Sequence, residues 1–232
     1  SRATPRAMAA EARLVLAGGG HSHALLLRMW AMAQHRPDRR PPARITLVSR
    51  RSTALYSGMV PGLVAGLYSP EECAIDLRRL CALTGVSFVQ AEITAVDLAR
   101  QELVLEGRPA LAWDLLSLDV GAEVGAAEGG ASGEGSPGPL PVKPLEPFLA
   151  WCHGLEAPQA IAIHGGGAAA VEVALALRRR GLRPELLLRG EGLQLGCAAA
   201  HQVAERLLAE AGIPVQRGVD DQAAADLACT GS

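Results

Sequence analysis

Two short stretches put glycines where a chain can grip a phosphate: "LVLAGGGHSHALLL" at residues 14–27 and "IAIHGGGAAAVEVALAL" at residues 161–177. In each, an apolar run enters three glycines and a helical apolar pattern comes next. A strand, a glycine turn and a helix aim backbone N–H groups and the positive end of the helix dipole at one point, which favours a pyrophosphate. In the G-x-G-x-x-G design the first glycine permits the tight turn and the second lets the backbone approach the phosphates. The third lets helix and strand pack closely. Gly18 and Gly20 fill the first two roles in the first copy. Gly165 and Gly167 fill them in the second, with Ala170 as a small third residue. In the first copy the third position is His23. A side chain of that size is expected to push the helix outward or to turn away from the strand. One isolated match can reflect βα geometry alone. Two copies, each between a strand and a helix, point to dinucleotide binding.

The second strand of such a unit usually ends in an acid that bonds a ribose hydroxyl. Neither half supplies one: the first has Ser49 followed by Arg50 and Arg51, the second Arg189. A serine can still bond a ribose. Arg189 either suits a 2′-phosphate or is an ordinary solvated charge at a strand end. The remaining reactive side chains read more plainly. His164 precedes the second glycines on a strand and reads as packing. Cys152 and His153 are neighbours in a helical pattern and point about 100° apart, which does not make an activated thiolate pair. No two candidate ligands show a recognised metal spacing.

Periodicity and punctuation give the elements that must position these residues. "RLVLA" (13–17) and "RITLVS" (44–49) read as strands, with a helix from His21 to Gln34 between them. The Pro-rich "HRPDRRPPA" (35–43) reads as loop. "RRSTALYSGMVPGLVAGLYSPEE" reads as loop-rich, with a short apolar piece around Val60–Leu67. Pro70, Glu71 and Glu72 open a helix that Gly85 stops. Residues 86–107 alternate and read as antiparallel strands, and "WDLLSLDVGAE" (113–123) reads as a further strand. Residues 121–141 are rich in Gly, Ser and Pro without periodicity and read as a linker. Beyond it, residues 142–155 read as a helix, 161–181 repeat the strand–glycine–helix design, and "ELLLRG" takes the second-strand role. A helix over 200–212, a strand "IPVQRG" and a final apolar run into Gly231 complete the pattern.

Composition bounds the function. The 232 residues suffice for one large or two modest domains, and 49% are apolar with only 3% aromatic, so the core is built of Leu, Val and Ala. A net charge of −2 gives no electrostatic case for nucleic acid or an anionic membrane. No apolar run reaches spanning length. Residues 1–12 read as a flexible leader. The five cysteines are scattered, which fits a reducing, cytoplasmic setting with free thiols.

Together, "GGGHSH", "LYSGMVPGLVAGLYSPEECAIDL", "LSLDVGAE" and "PVKPLEPFLAW" resemble the pyridine nucleotide-disulfide oxidoreductases, which bind two dinucleotides. The resemblance is to the NADH dehydrogenase-like branch, among relatives of type II NADH dehydrogenases and sulfide:quinone reductases. That module is also found fused ahead of selenide, water dikinase. It runs from about residue 12 to 232, and that branch carries the same histidine in its fingerprint. It implies an α/β fold of two Rossmann-like dinucleotide-binding domains with the C-terminal part missing: leader 1–12, incomplete FAD-binding domain 13–122, linker 123–142 and NAD(P)-binding domain 143–232. The family's return segment, with its "GD" strand on the flavin, is absent before "ACTGS".

By the same resemblance, Gly18, Gly19, Gly20, His21, Ser22 and His23 would hold the FAD pyrophosphate. Ser49 and Arg50 would lie near the adenosine ribose, Glu92 and Ile93 near the adenine, and Asp119 and Gly121 beside the nucleotide. Lys143 would open the interdomain helix. Gly165, Gly166, Gly167, Glu172 and Arg189 would belong to the NAD(P)H site. The "YSGMVPG" loop stands where disulfide reductases carry redox cysteines, and it has none. It offers Tyr56, Ser57 and Met59 as flavin-proximal groups, with no assignable acid or base. The implied activity is an FAD-dependent NAD(P)H oxidoreductase passing hydride from nicotinamide to flavin and electrons to a small acceptor such as a quinone, in a cytoplasmic protein that could touch a membrane peripherally. The alternative is a non-catalytic or regulatory nucleotide-binding module at the N-terminus of a selenide, water dikinase fusion. A single-nucleotide dehydrogenase is disfavoured by the duplicated fingerprint and by "YSGMVPG".

Overall fold

The computed structural model describes residues 11–33, 40–121, 138–220 and 225–229. Most of the leader, most of the linker and Gln34 lie outside the described residues. The chain divides into two compact units, Ser1–Tyr56 with Ala74–Gly121, and Ser57–Cys73 with Ala122–Ser232. Residues 57–73, expected from the sequence to belong with the first half, therefore group with the second.

The first unit is built on β1 (Ala12–Ala17), α1 (His21–Met32), β2 (Ala43–Ser49) and β3 (Thr53–Leu55). The second unit takes the next part of the chain: a 3₁₀ turn over Ser57–Met59, α2 (Val60–Val64) and α3 (Pro70–Cys73). The first unit resumes with β4 (Ala74–Asp76), α4 (Leu77–Thr84), β5 (Ser87–Gln90), β6 (Ile93–Asp97), β7 (Glu102–Leu105), β8 (Leu111–Ala112) and β9 (Leu115–Leu118). Its main sheet runs β5-β2-β1-β9, and every pairing in it is parallel. Alternation along β1 explains its two covered faces. Leu16 packs with Ala24, Leu27, Ile45, Leu47, Leu77 and Cys81 under the helices. Val15 and Ala17 pack with Val48, Ala91, Leu103 and Leu105 on the opposite face.

The second unit continues with β10 (Leu140–Pro141), α5 (Leu145–His153), β11 (Ala160–His164), α6 (Ala168–Arg179), β12 (Arg183–Leu187), α7 (Ala198–Glu210), β13 (Val215–Gln216) and β14 (Leu227–Ala228). Its sheet runs β10-β14-β11-β12-β13, again all parallel. From β13 to β14 this repeats the third-second-first-fourth order of the first sheet. Both are open parallel sheets whose strand order reverses beside the first strand, and in such sheets ligands bind outside the C-terminal ends of the strands. The chain is an α/β protein with two dinucleotide-binding-like sheets.

Three expectations are corrected. The helix read from Pro70 to Gly85 is broken. Ala74–Asp76 pairs antiparallel with Thr53–Leu55, and Asp76 then caps a new helix by accepting from the Arg79 amide at 2.8 Å. Residues 86–107 are not all antiparallel. β5 joins β2 in parallel, and only β6, β7 and β8 form the antiparallel ribbon. The His23 side chain does not turn away from the strands: it is 3% exposed and its Nε2 lies 2.8 Å from the Ser117 hydroxyl. Two boundaries also shift: β1 opens at Ala12, inside the stretch read as leader, and β10 takes Leu140–Pro141 from the stretch read as linker.

Candidate functional site

Each unit carries one glycine turn between its first strand and its first main helix. In the first, Gly18 has φ +98° and its N–H bonds the Val48 carbonyl at 2.8 Å. In the second, Gly165 has φ +142° and bonds the Leu187 carbonyl at 3.1 Å. Positive φ explains glycine at both places. Close approach adds a second reason. A Cβ on Gly18 would stand 2.2 Å from the Asp119 carbonyl oxygen, and one on Gly165 would stand 2.6 Å from the Cys229 carbonyl oxygen. Asp119 and Cys229 are thus counterparts, each one residue past the fourth strand. Their amides bond the last residue of the first strand, Asp119 to Ala17 at 2.8 Å and Cys229 to His164 at 2.7 Å.

The side chains at these matched places differ. Asp119 turns its carboxylate onto the start of α1, where Oδ2 accepts from the His23 amide at 3.0 Å. Gly20 is the helix N-cap and has no side chain to do this, so a strand 96 residues away supplies the cap. A Cβ on Gly20 would meet the Asp119 carboxylate at 2.2–2.5 Å. The place where the second glycine lets a phosphate approach therefore already holds an anionic group. In the second unit Gly167 caps α6, and a Cβ there would meet nothing within 4 Å. Among the described residues, no side chain bonds the Gly167 cap. Cys229 is 8% exposed, and burial pushes its thiol up to about 12, so at neutral pH it brings no charge.

His23 explains how the first turn tolerates a large third residue. Its Nδ1 lies 2.8 Å from the Gly18 carbonyl and its Nε2 lies 2.8 Å from the Ser117 hydroxyl. A carbonyl can only accept, so Nδ1 carries a proton and donates to it. The ring fills the gap between α1 and the strands as a polar wedge. In the second unit Ala170 stands at the place of His23 and Leu227 at that of Ser117, both fully buried and apolar. Ser117 was missed in the sequence. Its signal was a lone hydroxyl inside the apolar strand "LLSL", matched by a histidine where a small residue belongs.

The other sequence candidates are spread over both units. Ser49 is buried at the end of β2, and its hydroxyl would lie 2.7 Å from a Cβ on Gly19. Arg50 is exposed and pairs loosely with Glu92 at 3.7 Å, and Ile93 starts β6. The His21 ring stacks on Tyr56, centroids 4.6 Å apart, beside the exposed Ser22 at the first turn of α1. Gly121 has φ +83° in open space. These residues all belong to the first unit. In the second unit, Ser57 and Met59 lie in the 3₁₀ turn, Lys143 is exposed before α5, Gly166 accepts from the Gln194 amide at 2.7 Å, and Glu172 and Arg189 are exposed. Cys152 is buried, its thiol pushed up to about 11 by burial, while His153 is exposed. Among the described residues no cluster of His, Cys, Asp or Glu could hold a metal, and no helix is long and apolar enough to cross a membrane.

No protein-family model matches the chain. Over 118 residues it is 30% identical to demethylphylloquinone reductase NdbB of Synechocystis, a match spanning 49% of this chain and 29% of that protein. Among solved structures, putidaredoxin reductase in its covalent complex with putidaredoxin superposes with a TM-score of 0.70 at 20% identity. That match covers 91% of this chain and 51% of the other. The sulfide:quinone oxidoreductase of Aquifex aeolicus superposes with a TM-score of 0.64 at 18% identity, over 94% of this chain and 57% of the other. The chain thus spans about half the length of these structural relatives and under a third of the curated one. It shares the fold of the superposed part of the two solved structures.

Proposed function

We propose that the chain is the dinucleotide-binding part of an FAD-dependent NAD(P)H oxidoreductase of the pyridine nucleotide-disulfide oxidoreductase type. One observation supports this reading: two sheets that share a four-strand order, each with a glycine turn aimed at a helix N-terminus, on the fold of a putidaredoxin reductase complex and a sulfide:quinone oxidoreductase. The names of the relatives support a quinone or a small redox protein as acceptor.

In this reading the first unit holds the flavin nucleotide and the second the pyridine nucleotide. Gly18–Gly20 with His21, Ser22 and His23 take the FAD pyrophosphate, and Ser49, Arg50, Glu92 and Ile93 face its adenosine half. Gly165–Gly167 and the first turn of α6 take the NAD(P)H pyrophosphate, with Glu172 and Arg189 beside it. The second turn fits that group well, because among the described residues a Cβ on its cap would meet nothing within 4 Å. The first fits once Asp119 moves. A bound flavin would supply the hydride-accepting chemistry; the protein's part is to bind, orient and exclude water. Tyr56, Ser57 and Met59 are the candidates for flavin-proximal groups, and the absence of cysteine among them sets aside dithiol exchange at that loop.

The test is anaerobic. The purified chain is loaded with FAD, freed of excess ligand and mixed with NADH or NADPH. A retained yellow chromophore that bleaches with a pyridine nucleotide supports the reading, and faster bleaching by NADPH assigns Arg189 to the 2′-phosphate. A protein that retains no flavin under any loading condition refutes it for this chain.

A further inference from the structure

We infer that Asp119 is a built-in competitor for the dinucleotide pyrophosphate: its carboxylate occupies the anion position at the α1 N-terminus, and a nucleotide enters the first unit only by displacing it. The inference rests on the dinucleotide reading of that turn. Three observations converge on it. The Oδ2 atom accepts from the His23 amide at 3.0 Å, so one first-turn donor is already used. Both carboxylate oxygens lie within 2.5 Å of where a Cβ on Gly20 would stand, which is the face that glycine leaves clear for a phosphate. The matched residue in the other unit, Cys229, brings a neutral thiol to its turn.

Two anions cannot share one helix end at contact distance without strong repulsion. The carboxylate is tethered to β9, so its local concentration is high and a free phosphate competes at a disadvantage. The His23 ring does not depend on it. Its bonds to Gly18 and Ser117 hold the turn in shape whether Asp119 is in or out. Displacement therefore frees the His23 amide without dismantling the turn. The first site is gated by its own strand, and among the described residues no group stands at the second.

The test titrates inorganic pyrophosphate into the ¹⁵N-labelled full chain, following the Gly20 and His23 amides for the first turn and the Gly167 to Ala170 amides for the second. In Asp119→Asn the first-turn amides should respond at concentrations about tenfold or more below those the unaltered chain needs. The second-turn amides should respond alike in both. Asp119→Ala serves as a second variant, with the dispersed spectrum as the check on folding. Equal or weaker first-turn response in both variants overturns the inference. FAD is titrated in parallel. A first turn that gains pyrophosphate but takes no FAD in any variant keeps the inference and removes the flavin assignment.

Discussion

The two glycine turns share a backbone and differ in three side chains. Around the first stand His23, Ser117 and Asp119; around the second stand Ala170, Leu227 and Cys229. The first set is polar, hydrogen-bonded and closed over its helix end. The second is apolar, and among the described residues nothing stands over its helix end. One strand order can therefore produce either a self-capped turn or an open one, and the choice lies in residues that the G-x-G-x-x-G pattern does not record.

The sharpest way to break the comparison is at the third position. His23→Ala removes a buried ring and strands the Ser117 hydroxyl and the Gly18 carbonyl, and should cost about 2–4 kcal/mol in urea unfolding. Recovery with His23→Gly, despite the missing ring, would show that the wedge is dispensable. The second glycines come next. Gly20→Ala drives a methyl into the Asp119 carboxylate and should cost about 2 kcal/mol more than Gly167→Ala, whose methyl meets open space. Adding Asp119→Ala to Gly20→Ala should return most of that difference, a double-mutant cycle read by denaturant midpoints.

Moving the charge tests the other half. Cys229→Asp should weaken the response of the second-turn amides to pyrophosphate by about tenfold, while the neutral Cys229→Ser leaves it unchanged; the NMR titration decides. The smallest effect lies at the far end of β9. There Asp114 accepts from the Arg13 side chain at 2.8 and 3.0 Å and from its amide at 2.7 Å. Those hydrogen bonds lower its carboxyl to about 2, against roughly 3.9 in an unfolded chain. Because the folded value is the lower one, the stabilisation is full above about pH 4 and fades as pH falls through 2. Carboxyl NMR titration should show the midpoint rising in Arg13→Ala. Asp226 makes a simpler version of this clasp in the second unit, accepting from the Ala162 amide at 2.8 Å.

Repetition was the legible part of the sequence. Strand, glycines, helix and second strand recur, and both copies fold as read, because apolar runs and left-handed glycines are local signals. The helix over 70–84 failed for a nonlocal reason. Ile75 and its neighbours are claimed by β3, and Asp76, readable as a helix-interior acid, is instead the cap of α4. His23 was legible as an exception but not as a solution. Its partners are a strand serine 94 residues away and a glycine carbonyl, and no spacing rule connects them. Asp119 stood out only as a residue near the nucleotide. Its position on a helix end depends on β9 lying beside β1, which periodicity does not give.

That neighbour relation also sets a timetable for biosynthesis. β1 leaves the ribosome before β2 and β9, yet it lies between them, and its clasp with Asp114 joins residues 101 apart in sequence. At about 5–20 residues per second, the N-terminal strand waits roughly 5–20 seconds for its second neighbour. Throughout that interval α1 lacks its cap and one edge of β1 is bare, an invitation to chaperones or to a second nascent chain. Ribosome-stalled chains ending before Trp113 should be cut by protease near α1, and chains extended well past Gly121 should not.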